Sequence, residues 1–178
     1  MKKSLFIAAM LISIASFSQK VYSTKSGQIS FNASSPIEKI KGINNQADSK
    51  MIDKNGQIVF MLLIKSFKFE NQLMEDHFNE NYMESTKFPK ADFKGFITNI
   101  NSVDFTKDGK YPVTADGTLT LHGVSKKVQP TGVITINDGK VTLTSTFRIA
   151  LKDYNVTGSY IGSKIASDVE INVQCKYE

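Results

Sequence analysis

One cysteine, two histidines and no tryptophan are present in 178 residues. A single thiol, Cys175, makes no intramolecular disulfide, so packing alone must hold the fold together. Its place in the alternating run Val169, Ile171, Val173, Cys175, Tyr177 marks it as a small buried hydrophobe rather than a reactive group. His77 and His122 lack metal-ligand spacing with each other or with a cysteine, which argues against a zinc site. No G-x-S-x-G elbow, G-x-G-x-x-G turn or phosphate loop occurs. Asp76 adjoins His77 on a helical pattern, where neighbours in sequence do not face each other, so the pair is a poor acid/base dyad. No catalytic residue is assigned, and the chain is read as a non-enzyme without a cofactor.

Long apolar runs are also scarce. Leu5 to Ile14 follows Lys2 and Lys3 and precedes the small residues Ala15, Ser16 and Ser18. The run is too short to span a bilayer, and the pattern is that of a secretory signal peptide over residues 1–18, cleaved near Ser18. No cysteine lies near that point to carry a lipid anchor. Removing these residues takes away two lysines and no acid, so a formal charge of +5 becomes +3 over 160 residues. The remaining lysines are interspersed with acids and form no basic stripe, which excludes a nucleic-acid partner. The mature segment, residues 19–178, is long enough for one domain with a substantial core, and it contains no linker-like stretch.

What the chain does have is period-2 alternation. Apolar residues recur at Ile29, Phe31, Ala33; at Ile58, Phe60, Leu62, Ile64; at Phe93, Gly95, Ile97; and at Val141, Leu143, Phe147, Ile149, Leu151. Each set places its apolar side chains on one face of a strand. Asn55-Gly56, Asp108-Gly109 and Asp138-Gly139 supply the positive φ of tight hairpins. The stretch Thr114 to Val128 (TADGTLTLHGVSKKV) puts Val113, Ala115, Gly117, Leu119 and Leu121 on one face and His122 on the other. Apolar residues resume at Val128, Val133, Ile134 and Ile136, which predicts a hairpin whose tip carries His122 together with Lys126 and Lys127, the two lysines as solvated turn residues. A mainly β fold, a barrel or sandwich, follows.

Two segments depart from simple alternation. Asn71 to Ser85 carries Leu73, Met74, Phe78, Tyr82 and Met83 at helical spacing, and Pro89 ends the pattern, which predicts a short amphipathic helix. In Gln57 to Ile64, Val59, Met61 and Leu63 add a second apolar face, predicting a strand covered on both sides, in a barrel by a helix lying on its wall. Seven phenylalanines, Phe31, Phe60, Phe67, Phe69, Phe93, Phe105 and Phe147, fall on predicted strands, where they either fill an interior or line a tunnel. The glycine-spaced run Gly158 to Gly162 reads as the connection between the last two strands.

The run DGTLTLHGVSKKV (Asp116 to Val128), EDHF (Glu75 to Phe78) and KFPKADFKG (Lys87 to Gly95), ordered behind the G-x-I-x-F strand Gly27 to Phe31, resembles the YceI-like family of bacterial exported polyisoprenoid-binding proteins. The resemblance covers essentially the whole mature chain. It implies an antiparallel, lipocalin-like β-barrel with a short helix packed on or near it, periplasmic or secreted, binding an isoprenoid lipid such as a prenyl quinone or polyprenyl phosphate for carriage or storage. Inward parity then selects Phe31, Phe60, Leu62, Phe93, Leu119, Leu121, Leu143, Phe147 and Ile149 as ligand-binding residues. His122, on the opposite parity, is assigned a capping or outer-wall role. Lys126 and Lys127 are the residues that would meet a membrane surface or an anionic head group. A homodimer joined mouth to mouth would enclose a longer chain, and no motif specifies one. The competing readings are a filled barrel that recognises a protein and an enzyme of isoprenoid metabolism.

Overall fold

The computed structural model describes residues 19–178; residues 1–18, the segment expected to be a signal peptide, lie outside them. Nine strands are present among the described residues: β1 (Val21–Ser34), β2 (Lys41–Ile52), β3 (Gln57–Leu63), β4 (Lys90–Ile97), β5 (Gly109–Leu121), β6 (Val124–Val128), β7 (Thr131–Asn137), β8 (Lys140–Ala150) and β9 (Ile165–Tyr177). All pair antiparallel. Eight of them close a lipocalin-like barrel in the order β1-β2-β3-β4-β5-β7-β8-β9, with β9 returning to β1. β6 is not a separate stave of that ring. It continues the line of β7 beyond a break at Gln129 and Pro130, so that β5 pairs with β7 over Gly109 to Thr114 and with β6 over Gly117 to Leu121.

The predicted hairpin therefore exists, but its turn is tighter than expected. His122 (φ 51) and Gly123 (φ 74) alone make it, between the paired Leu121 and Val124. Two successive left-handed residues give the turn whose twist matches a β-hairpin. Lys126 and Lys127 consequently sit on β6 opposite Leu119 and Thr118 rather than in a turn. Asp138 (φ 49) and Gly139 (φ 72) close the same kind of turn between β7 and β8, and Gly56 (φ 72) turns β2 into β3. Asp108-Gly109 does not make a hairpin turn, because residues 98–108 form a longer plug that includes a 3-10 turn at Ile100–Ser102.

The helical pattern of residues 71–85 resolves into α1 (Gln72–His77) followed by a π-helical turn, Phe78–Tyr82. The Asn71 side chain accepts from the Met74 amide at 2.9 Å and caps the start. This helix does not lie on the barrel wall over β3. Leu63 is 46% exposed on that face while Val59 and Met61 are half-buried, so the second face is covered only in part. The helix instead crosses one end of the barrel, where Phe78 stacks on Phe31 (centroids 5.4 Å, 20°) and meets Phe67 and Phe69 at 5.6 and 4.9 Å. Phe67 and Phe69 are not on a strand; they flank the isolated bridge of Lys68 to Ile43. Phe105 is likewise off-strand, in the plug at the opposite end, stacked on Tyr22 at 5.1 Å.

β2 lacks an obvious alternation, yet it pairs on both sides. Its buried residues are Gly42, Asn44, Ala47, Ser49 and Met51, with a change of parity between Asn44 and Ala47. Register shifts against β1 on either side of Gly27 explain the change, since a bulge reverses inward and outward beyond it. Asn44, fully buried, is satisfied by donating to the Leu63 carbonyl (3.0 Å) and accepting from the Gln46 amide (2.8 Å).

Candidate functional site

The two halves of the barrel interior are packed differently. At the closed end, Tyr22, Met51, Ile58, Ile97, Val113, Ile134, Ile136 and Val141 join Ile100 and Val103 of the plug in a continuous buried core. The Ser49 and Tyr177 hydroxyls bond each other there at 2.9 Å. Burial pushes the Tyr177 phenol well above its ordinary value and the Cys175 thiol up to about 12, so both stay protonated.

Toward the helical end the inward side chains stand apart and enclose a cavity of about 530 Å³. Its wall includes Phe31, Phe60, Leu62, Phe93, Leu119, Leu121, Leu143, Phe147 and Ile149, all nine residues selected from parity. Strand register groups several of them into two belts. Phe60 pairs with Phe93 and Phe93 with Leu119 across β3, β4 and β5. Phe147 pairs with Ile171 and Ile171 with Phe31 across β8, β9 and β1. The Phe31 ring lies over Gly42, where an added Cβ would come within 2.5 Å of it, so a small residue on β2 makes room for the aromatic belt.

Residues outside the parity argument complete the cavity. Phe67 and Phe69 follow β3, while Met74, Phe78 and Tyr82 descend from the helical segment, forming an aromatic roof. Their apolar character was visible in the sequence; their position over the barrel end was not. Glu38, Asn71, His77, Tyr82, Tyr160 and Lys164 contribute polar groups to the lining. The Tyr82 ring packs so closely on the Gly158 backbone that a Cβ there would meet it at 2.6 Å, which fixes the β8–β9 connection beside the roof.

His122 is not part of the wall. It is 8% exposed, with Nδ1 donating to the Tyr154 carbonyl at 3.1 Å, Nε2 3.0 Å from a Glu84 carboxylate oxygen, and the Phe88 ring edge-on at 4.5 Å. The histidine thus ties the β5–β6 turn to the segment after β8 and to the end of the helical roof. That is a clasp, as its parity implies, and not a ligand contact. Among the described residues no three His, Cys, Asp or Glu side chains cluster as metal ligands.

No curated protein matches this chain. Among solved structures, a polyisoprenoid binding domain from Saccharophagus degradans superposes with a TM-score of 0.75 at 11% identity, over 89% of this chain and 97% of that one. BcnA from Burkholderia cenocepacia gives 0.69 at 16% identity, over 83% and 94%. A Campylobacter jejuni YCEI protein gives 0.54 at 16% identity, over 99% and 93%. These likenesses establish the fold. The model of the YceI-like domain matches residues 20–177, nearly everything that the barrel comprises, and the chain belongs to that family.

Proposed function

We propose that this protein binds an isoprenoid lipid, a prenyl quinone or polyprenyl phosphate, in the barrel cavity, for carriage or storage after export through its signal peptide. The observation that carries this reading is the apolar cavity of about 530 Å³, walled by cross-strand belts and roofed by phenylalanines. A filled barrel acting only through its surface would leave no such space. The similarity in fold to a polyisoprenoid binding domain supports the choice of ligand class.

The energetics need no elaborate recognition. Each buried methylene contributes roughly 0.8 kcal/mol, so several isoprene units give useful affinity from the wall alone. Branching and length are then read by the shape of the aromatic belts. Chemistry is not required for this role.

The test is mass spectrometry of organic extracts from residues 19–178, purified without detergent from an exporting bacterial host. A stoichiometric isoprenoid is expected. An empty extract, together with no uptake of added prenyl quinone, would overturn the reading in favour of protein recognition.

A further inference from the structure

Most of the cavity wall is closed by strand ladders, and one corner is not. β7 pairs with β8 only as far as Gly132 and Ser145, while β8 runs on to Ala150. β6, which continues the line of β7, has β5 as its single strand partner among the described residues. Beyond Ser145, β8 therefore has β9 on one side and no strand on the other. The 3-10 turn that follows β8, Leu151–Tyr154, packs beside β6 at this seam.

The His122 clasp lies at that corner. Each of its members is next to a residue of the cavity wall: His122 follows Leu121, Glu84 follows Met83, and Tyr154 lies two residues before Val156. Glu84 (φ 41), His122 (φ 51) and Asn155 (φ 55), which follows Tyr154, are three of the four non-glycine residues with positive φ among the described residues. Such backbone is uncommon, persists where surrounding contacts enforce it, and gathers at clamps and switch regions. The bonds of one imidazole link all three segments.

The clasp holds one proton more than a neutral imidazole and a free carboxylate. The Tyr154 carbonyl only accepts, so Nδ1 carries a hydrogen; the Glu84 carboxylate also accepts, so a second proton lies between it and Nε2 across 3.0 Å. Without that proton two lone pairs would face each other. On the elements around the ring, Lys87 reaches the second Glu84 oxygen at 3.8 Å, and Lys126, Lys127, Lys152 and Asp153 are exposed. Burial first, then Asp153, raise the Tyr154 phenol, so it stays neutral. Among the described residues, Glu84 is the one titratable side chain bonded to the ring.

Resting on the lipid-binding reading above, we propose that this corner is a proton-dependent gate of the cavity. The clasp closes it while the shared proton is present; loss of that proton to solvent frees Glu84 and parts the end of the roof from the β5–β6 turn. Because the proton is bound in the closed form alone, closure is favoured at low pH and weakens as pH rises. Lipid exchange accelerates in the same direction.

The experiment follows dissociation of tritiated geranylgeraniol from residues 19–178 into excess unlabelled alcohol between about pH 5 and about pH 8, the span over which an imidazole changes charge. The alcohol itself does not titrate there. The rate is expected to rise at least about tenfold, since each pH unit weakens a one-proton closure by up to about tenfold. In Glu84→Gln the amide accepts from a charged ring and donates to a neutral one, so release should stay slow and change by less than about twofold. His122→Asn, which keeps a residue tolerant of positive φ, should release quickly at every pH. A wild-type rate independent of pH would overturn the gate and leave lipid binding intact. So would an equal rise in Glu84→Gln, which would assign the dependence to His77 in the cavity lining. Absence of bound alcohol at every pH would overturn both.

Discussion

The same strands that pack solidly at one end of the barrel hold a cavity open at the other. β1 carries Tyr22 into the closed core and Phe31 into the cavity wall; β8 does the same with Val141 and Phe147. The strands themselves do not make the difference. The closed end is stoppered by residues 98–108, whose Ile100, Val103 and Phe105 fill the space between inward side chains. The other end is spanned by a helical roof whose large rings pack chiefly on one another and stop short of filling the barrel. One end therefore contributes stability and the other holds capacity for a ligand.

Substitutions should separate these roles. The largest loss of stability is expected from Ile134→Ala, since Ile134 is completely buried in the closed core and such truncations cost about 2–5 kcal/mol. Thermal or denaturant unfolding would read it, with lipid affinity in the folded fraction unchanged. Phe147→Ala should cost less, about 1–2 kcal/mol, because the ring already faces empty space and forfeits fewer contacts. Its main effect should be on lipid retention. An equal loss at the two sites would erase the distinction between the ends.

Next in size is Tyr177→Phe, which leaves the Ser49 hydroxyl unpaired in the closed core and should cost about 1–2 kcal/mol without touching the ligand. Cys175 offers a probe of the same region. Burial raises its thiol to about 12, so thiolate is scarce near neutral pH and alkylation of the native protein should follow the rate of opening of the closed end. Rapid labelling of the folded chain would contradict the packing described. The smallest effect belongs to Lys126→Ala, an exposed position on β6, which should shift stability by less than about 0.5 kcal/mol and leave lipid binding unaltered.

Much of this architecture is legible in the sequence because half-buried strands must alternate. The parity of Phe60, Phe93, Leu119 and Phe147 survives in the barrel since no bulge intervenes within those stretches. β2 was hidden for the opposite reason: Gly42, Asn44, Ala47 and Ser49 are small or polar, and a register shift reverses parity midway. Local pattern also found the helix without its place. Whether an amphipathic segment covers the wall or the end depends on long-range packing of Phe78 against Phe31, 47 residues away in sequence. The sequence pattern suggests a longer turn than the two residues His122 and Gly123, because a left-handed histidine is uncommon, and the clasp to Glu84 and Tyr154 shows what holds it.

The most direct test of the account is equilibrium binding of a prenyl quinone to residues 19–178 and to the same segment carrying Phe147→Arg, with circular dichroism and unfolding used to confirm that the variant keeps its barrel. The account predicts one quinone per wild-type barrel and loss of binding in the folded variant, because the arginine places a charge within the apolar wall. Equal binding by both proteins, or none by the wild type, would contradict it.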